Sequence, residues 1–169
     1  MKFTINPREG IAWNGHCILF GDTQDDVRRE LGEPDIVNGS FYYFQNELRF
    51  DFDAYNTVEF IEFLGGTDGV LRPQVYDMDV FSVKTDELFE RLKWHDGEDI
   101  TDNERDYSYA FRGISIGLYR ESTPGAVEEM IAEMKNDGLN IENSELVEEE
   151  RRKAFHWATI GLGRPSYYR

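Results

Sequence analysis

Apolar and polar residues alternate from residue 48 to residue 53. The apolar side chains occupy every second position: Leu48, Phe50 and Phe52. The polar side chains lie between them: Arg49, Asp51 and Asp53. Because successive side chains of a strand point to opposite faces, the pattern predicts a strand with one buried and one polar face. The aromatic run at 41–44 and the turn at 45–46 predict that this strand completes a hairpin, and residues 58–64 are typical of a third strand.

A short helix precedes the hairpin. Thr23 is a good N-cap residue, and Val27 and Leu31 lie four positions apart, so they share one face of the helix. Gly32 followed by Pro34 is typical of a helix end. The helix has only about two turns, so it needs to pack on a sheet to be stable.

A similar order of patterns returns later in the chain, and Leu88 and Leu92 take the places of Val27 and Leu31. The predicted elements are a strand at 76–83, a helix at 85–92, a polar loop at 94–105, and two hairpin strands at 107–111 and 114–118. The sequence therefore predicts two pseudo-repeats, at about 11–64 and 76–120.

The pattern changes after residue 120. Thr123-Pro124 predicts a helix start, and a second, highly charged helix is expected from Ser144 to about Phe155. Residues 156–162 are typical of a closing strand, followed by a fixed tail. We expect one α+β domain over 1–169, with an antiparallel sheet from two tandem helix-plus-hairpin units and helices on one face. The segment 121–169 adds a C-terminal helical part and the closing strand.

Composition narrows the classes of partner. The formal net charge of −16 repels phosphate backbones and anionic lipid surfaces, so neither nucleic acid nor a membrane is the expected partner. The same charge favours encounter with a basic protein. The single cysteine, Cys17, excludes an intramolecular disulfide, and the N-terminal residues lack the apolar core of a signal peptide. We expect a cytoplasmic protein.

Catalytic and metal-binding patterns are weak. The histidines, His16, His95 and His156, have no partner at metal-binding spacing, and Asp51 with Asp53 needs a cleft before it can carry out acid–base chemistry. We therefore expect no catalytic residue, no metal site and no cofactor.

One motif has a family resemblance. Its residues are Gly21, Thr23, Val27, Leu31, Gly32 and Pro34, then Tyr42, Tyr43, Leu48, Phe50 and Phe52. This order resembles the unit of the small outer-membrane assembly lipoprotein BamE and related domains. Two such units in tandem resemble the beta-lactamase inhibitor protein, whose units bind a target enzyme across a concave sheet. The resemblance implies a fold that serves protein recognition.

Strand alternation then predicts which residues remain for a partner. The expected outer-face residues are Tyr43, Arg49, Asp51, Asp53, Ser115 and Tyr119, and of these all but Ser115 are candidates for partner binding. The leading hypothesis is a non-enzymatic acidic protein-binding module, and its most specific form is an immunity protein or inhibitor of a basic toxin or enzyme. The alternative is a small-molecule-binding domain or enzyme with a pocket between the two units. A homodimer formed through sheet edges is a third hypothesis.

Overall fold

The computed structural model describes residues 1–97 and 99–169, and it has an α+β fold. In this part of the chain there are four α-helices: α1 (Gln24–Leu31), α2 (Thr85–Asp96), α3 (Pro124–Asn136) and α4 (Glu145–Phe155). Helix α1 begins as the sequence predicts, because Thr23 and Asp26 cap each other's backbone N–H groups in a capping box. Its cap at Gly32 has a φ of 85°, which a glycine adopts without strain.

The larger sheet has eight strands in the order β10-β11-β12-β13-β7-β6-β5-β4, and all neighbours are antiparallel. Its first four strands along the chain are β4 (Asp35–Val37), β5 (Ser40–Tyr43), β6 (Leu48–Phe52) and β7 (Val58–Phe63). The other four are β10 (Ile100–Asp102), β11 (Ser108–Phe111), β12 (Ile116–Tyr119) and β13 (Thr159–Gly163).

A second sheet of five strands, in the order β3-β2-β1-β8-β9, was not expected from the sequence. Its strands are β1 (Lys2–Asn6), β2 (Gly10–Trp13), β3 (His16–Leu19), β8 (Arg72–Val75) and β9 (Met78–Asp79). Strands β1 and β8 pair in parallel, so this sheet joins the N-terminus to the segment after β7. The predicted antiparallel sheet is present as the larger sheet, and this second sheet is additional to it.

The same order of elements occurs twice in the larger sheet. Helix α1 is followed by the four strands β4 to β7, and helix α2 is followed by β10 to β13, with α3 and α4 inserted between β12 and β13. Strand β13 pairs with β12 on one side and with β7 on the other, so it joins the two sets of strands. The predicted second unit, ending near 120, leaves out this fourth strand.

Two predicted elements differ from the structure. The segment 94–105 is not one loop, since α2 extends to Asp96 and β10 occupies Ile100–Asp102; Glu98 lies outside the described residues. The predicted strand at 76–83 is reduced to β9 (Met78–Asp79), because Tyr76 and Asp77 have positive φ values of 49° and 65° and form the tight turn between β8 and β9. Local composition therefore did not separate the turn at Tyr76 and Asp77 from a strand, or the end of α2 and strand β10 from a loop.

The core lies between one face of the larger sheet, the smaller sheet and the helices. The larger sheet contributes Leu48, Phe50, Ile116 and Leu118, as predicted from the alternation, whereas Ile114, predicted on the same strand, is buried in the turn between β11 and β12. The helices contribute Val27, Leu88 and Leu92, and the smaller sheet contributes Phe3, Ile11 and Ile18. Phe52, which was also predicted on the inner face, is partly buried against this cluster.

Candidate functional site

The candidate site is the face of the larger sheet that points away from the core, which we call the open face. Directly paired residues of antiparallel strands share a face. One row of pairs crosses five strands: Tyr42, Arg49, Glu62, Gly161 and Gly117. The open face therefore combines an aromatic group, two charged groups and two glycines near its centre.

Tyr43 does not lie on the open face, so that prediction is wrong. It pairs with Leu48 and is 7% exposed, and its hydroxyl donates a hydrogen bond of 2.9 Å to the carbonyl oxygen of Gly32. Burial raises the pKa of Tyr43 to about 12. The hairpin register instead places Tyr42 opposite Arg49.

Ser115 is also misplaced by the sequence prediction. It is 1% exposed in the turn between β11 and β12, where its hydroxyl donates to the carbonyl oxygen of Arg164 at 2.9 Å. Its positive φ of 56° belongs to this turn and not to a strand, so strand alternation does not apply to it.

Arg49 lies at the centre of a charged network on the open face. Its Nη2 is 2.8 Å from Asp51 Oδ2, and its Nη1 is 3.3 Å from Glu62 Oε1. Asp51 also accepts a hydrogen bond of 2.5 Å from the hydroxyl of Ser40. Burial raises the pKa of Glu62, and the positive charge of Arg49 partly offsets that effect. The charges of Arg49 and Asp51 are thus already paired with side chains of the protein itself.

Asp53 is held in the turn that follows β6. It accepts hydrogen bonds from the backbone N–H groups of Tyr55 and Thr57, and from the Thr57 hydroxyl. These bonds, those from Thr57 foremost, hold the pKa of Asp53 below its ordinary value. Its side chain is 12% exposed and also faces Arg164, so it has a structural role that alternation alone does not reveal.

The C-terminal residues Arg164–Arg169, which we call the strap, lie across the open face. Arg164 attaches the strap through its backbone N–H, which donates to the carbonyl oxygen of Glu59 at 3.0 Å. The guanidinium of Arg164 also lies 3.0 Å from Asp53 Oδ2 and 3.4 Å from Glu59 Oε2. The predicted fixed tail is therefore present, and it covers the surface that was predicted for a partner.

Two tyrosines of the strap contact the centre of the sheet. Tyr167 stacks on Phe60, with ring centroids 4.9 Å apart and planes 18° apart. The hydroxyl of Tyr168 lies over Gly117 and Gly161, and a Cβ on Gly161 would be 2.7 Å from that oxygen. Burial raises the pKa of Tyr168 well above its ordinary value. The glycines are thus required for the close approach of the strap.

Tyr119 lies on the open face beside the strap and is 38% exposed. It borders a shallow depression of about 140 Å³. The depression is lined in part by Glu62, Gly117, Tyr119, Thr159, Gly161 and Tyr168. Tyr119 is thus exposed beside the strap, while Arg49, Asp51 and Asp53 are partly covered.

Sequence reasoning missed four residues of this site: Phe60, Glu62, Tyr167 and Tyr168. A signal was present in β12 and β13, where glycines occupy alternate positions on one face: Gly117 in β12, then Gly161 and Gly163 in β13. Glycine inside a strand often indicates that another part of the chain approaches closely.

Residues 1–97 and 99–169, which the structure describes, also bear on two other classes of site. In that part of the chain, histidine, cysteine, aspartate and glutamate side chains form no group of three or more that could hold a metal ion. Nor is any described helix long and apolar enough to cross a bilayer.

Comparison of the chain with protein-family models, curated proteins and solved structures gives no match. The resemblance to the BamE-like module therefore stays a prediction from the sequence.

Proposed function

We propose that the protein is a non-enzymatic binding module that recognises a basic protein partner through the open face. The observation that carries the proposal is the asymmetry of the larger sheet. One face packs against the core, whereas the other presents aromatic and carboxylate side chains beside a strap of six residues. Exposed aromatic side chains are frequent anchors of protein interfaces.

Charge supports a basic partner. The ion-pair networks of the open face contain four carboxylates and two guanidinium groups: Asp51, Asp53, Glu59 and Glu62 with Arg49 and Arg164. The cluster therefore keeps a net charge of −2, within a chain of net charge −16. Complementary charge increases the association rate and excludes acidic competitors. In its most specific form, the proposal is a cytoplasmic immunity protein or inhibitor that neutralises a basic toxin or enzyme.

The alternative function, a pocket for a small molecule between the two units, has one supporting observation. The depression beside Tyr119 lies where β7 of the first set of strands approaches β12 and β13 of the second. Its volume of about 140 Å³ is below the ~300–1,000 Å³ of typical ligand pockets. Size therefore favours recognition of a protein side chain over a complete small ligand.

The test is affinity capture at low salt from cells of the source organism, with mass spectrometry and then titration of the recovered protein. Asp35 is exposed and pairs with Tyr42, so it lies on the open face in the same row of residues. The open-face variant is Asp35→Lys with Tyr119→Arg. The matched control is Glu133→Lys with Leu146→Arg, on helices α3 and α4, whose main contacts are with each other and with α2. Each pair replaces one acidic residue and one exposed hydrophobic residue by cations. We expect the first pair to abolish capture and the second to preserve it; equal capture by both would contradict the proposal.

A further inference from the structure

The strap is attached to the sheet by its main chain at one end only. Among the described residues, backbone hydrogen bonds join it to the rest of the protein at Arg164, through Glu59 and Ser115. Beyond that residue its described backbone bond is internal, from Tyr167 N–H to Arg164 O. Side chains therefore hold the remainder of the strap, and side chains of another segment can replace them.

The groove under the strap has three separate binding features. Asp53 and Glu59 receive a guanidinium, and the ring of Phe60 receives an aromatic ring by stacking. Gly117 and Gly161 leave room for a second aromatic ring. Phe60 is only 6% exposed because Tyr167 covers it, so removal of the strap leaves an apolar surface beside carboxylates.

We propose that this groove is a peptide-binding site for a partner segment in which an arginine precedes two adjacent aromatic residues, and that the strap occupies the site as an intramolecular competitor. The inference rests on the proposed function, since it makes the open face a recognition surface. It adds the chemistry of the segment that is bound: the positive charge complements Asp53 and Glu59, and the aromatic rings match Phe60 and the glycines.

The strap should weaken the binding of an external peptide by an amount that can be calculated. A segment tethered by a short linker has an effective concentration of the order of millimolar. A strap that is bound about 90% of the time therefore corresponds to a dissociation constant of about 0.1 mM or below for the same segment in trans. Opening the strap removes the competitor, so an external peptide then binds at least about tenfold more tightly than to the wild type.

The experiment uses the full-length chain and a synthetic peptide of the strap sequence, Arg-Pro-Ser-Tyr-Tyr-Arg. The protein variant Arg164→Ser with Tyr167→Ser and Tyr168→Ser removes the three strap side chains that occupy the groove and leaves its floor unchanged. The peptide is added to the protein up to a concentration of several times about 1 mM, and binding is measured from the shifts of the amide NMR signals. We expect saturable shifts at the amides of Glu59, Gly117 and Gly161, with the wild type at least about tenfold weaker.

Two controls separate a binding site from a structural tail. Adding Gly161→Ala to the open variant fills the floor and should weaken peptide binding at least about tenfold, because the Cβ takes the space of the Tyr168 hydroxyl. A peptide with both tyrosines replaced by serine should not bind. Amide spectra of every variant verify the fold, and Gly117→Ala replaces Gly161→Ala if the latter unfolds.

Equal binding of the two peptides, or binding that neither glycine substitution affects, would overturn the inference. So would the absence of binding to the folded open variant. These failures are distinct from failure of the proposed function, because capture of a partner that depends on Tyr119 would persist if only the peptide site were wrong.

Discussion

Arg164 and Asp53 form an ion pair with an Nη1 to Oδ2 distance of 3.0 Å, although 111 residues separate them in the chain. The pair connects the first residue of the strap to the turn after β6. Asp53 thus organises its own turn through Tyr55 and Thr57 and also fixes the position of the strap. The residue that the sequence suggested for a partner already has three partners within the protein.

The pH dependence of stability should reveal this role of Asp53. Its pKa is lowered in the folded protein, so the stability that it contributes is present above its unfolded-state pKa of about 4 and is lost as the pH falls through the lower folded-state value. We expect Asp53→Asn to reduce the denaturant midpoint at pH 7 and the gap to the wild type to narrow below about pH 4.

The matched control for that measurement is Asp77→Asn, an exposed residue in the turn between β8 and β9. Asparagine tolerates the positive φ of this turn, so the change in free energy of unfolding should stay within about 0.5 kcal/mol. A pH-independent gap for Asp53→Asn would contradict the assignment.

Gly161, one of the two glycines under the Tyr168 hydroxyl, has no room for a larger side chain. Gly161→Ala places a Cβ 2.7 Å from both the Phe60 ring and the Tyr168 hydroxyl, so it should lower the free energy of unfolding by about 1–3 kcal/mol. Because the strap is displaced, the pKa of Tyr168 should fall towards about 10, measured by ultraviolet titration of tyrosine.

The same substitution in open space is the control for the steric effect. Gly125 lies at the start of α3, and its nearest neighbour to an added Cβ is Thr123 Oγ1 at 3.8 Å. Gly125→Ala should be neutral or stabilise the protein by up to about 1 kcal/mol. Equal destabilisation by both substitutions would exclude the strap as the cause.

The two adjacent tyrosines of β5 should behave differently. Tyr43→Phe removes the hydrogen bond to Gly32 O inside the protein, and we expect a loss of about 1 kcal/mol in the free energy of unfolding. Tyr42→Phe, on the open face, should change it by less than about 0.5 kcal/mol. Chemical denaturation of both variants measures the difference; the reverse order would mean that the strand register is wrong.

Among conservative substitutions, we expect the largest loss in the free energy of unfolding at Arg120. It is 7% exposed, and it donates to the carbonyl oxygens of Asp106 and Ala154 at 2.8 and 3.0 Å. Arg120→Lys loses this forked geometry, so we expect a cost of about 2 kcal/mol in chemical denaturation. Arg112→Lys, at an exposed ion pair with Asp99, is the control and should cost less than about 1 kcal/mol.

Local patterns predicted much of the larger sheet. The alternation at 48–53 identified the inner-face residues of β6, and Thr23 with Gly32 identified the ends of α1. Tyr43 was misplaced because its face was not taken from its pairing: a turn at 45–46 already sets it opposite Leu48, and the longer turn of the structure, with positive φ at Phe44, Gln45 and Asn46, keeps that register. A shift of one residue reverses the face of every side chain.

Contacts between distant segments were not predictable in the same way. The pairing of β1 with β8 joins Phe3 to Pro73, and nothing in either segment specifies the other. The strap contact between Tyr167 and Phe60 joins residues that are even further apart in the chain. Alternating glycines indicate that something approaches β12 and β13, but they do not identify it.

The central claim is that the open face, at the edge of the strap, contacts a protein partner. Its most direct test is site-specific photocrosslinking in the source cells, with a photoreactive phenylalanine analogue at Tyr119 or, as a control, at Leu146 on α4, which is 67% exposed. We predict a crosslinked protein adduct from position 119 and no adduct from position 146. An adduct from position 146 and none from position 119 would contradict the account.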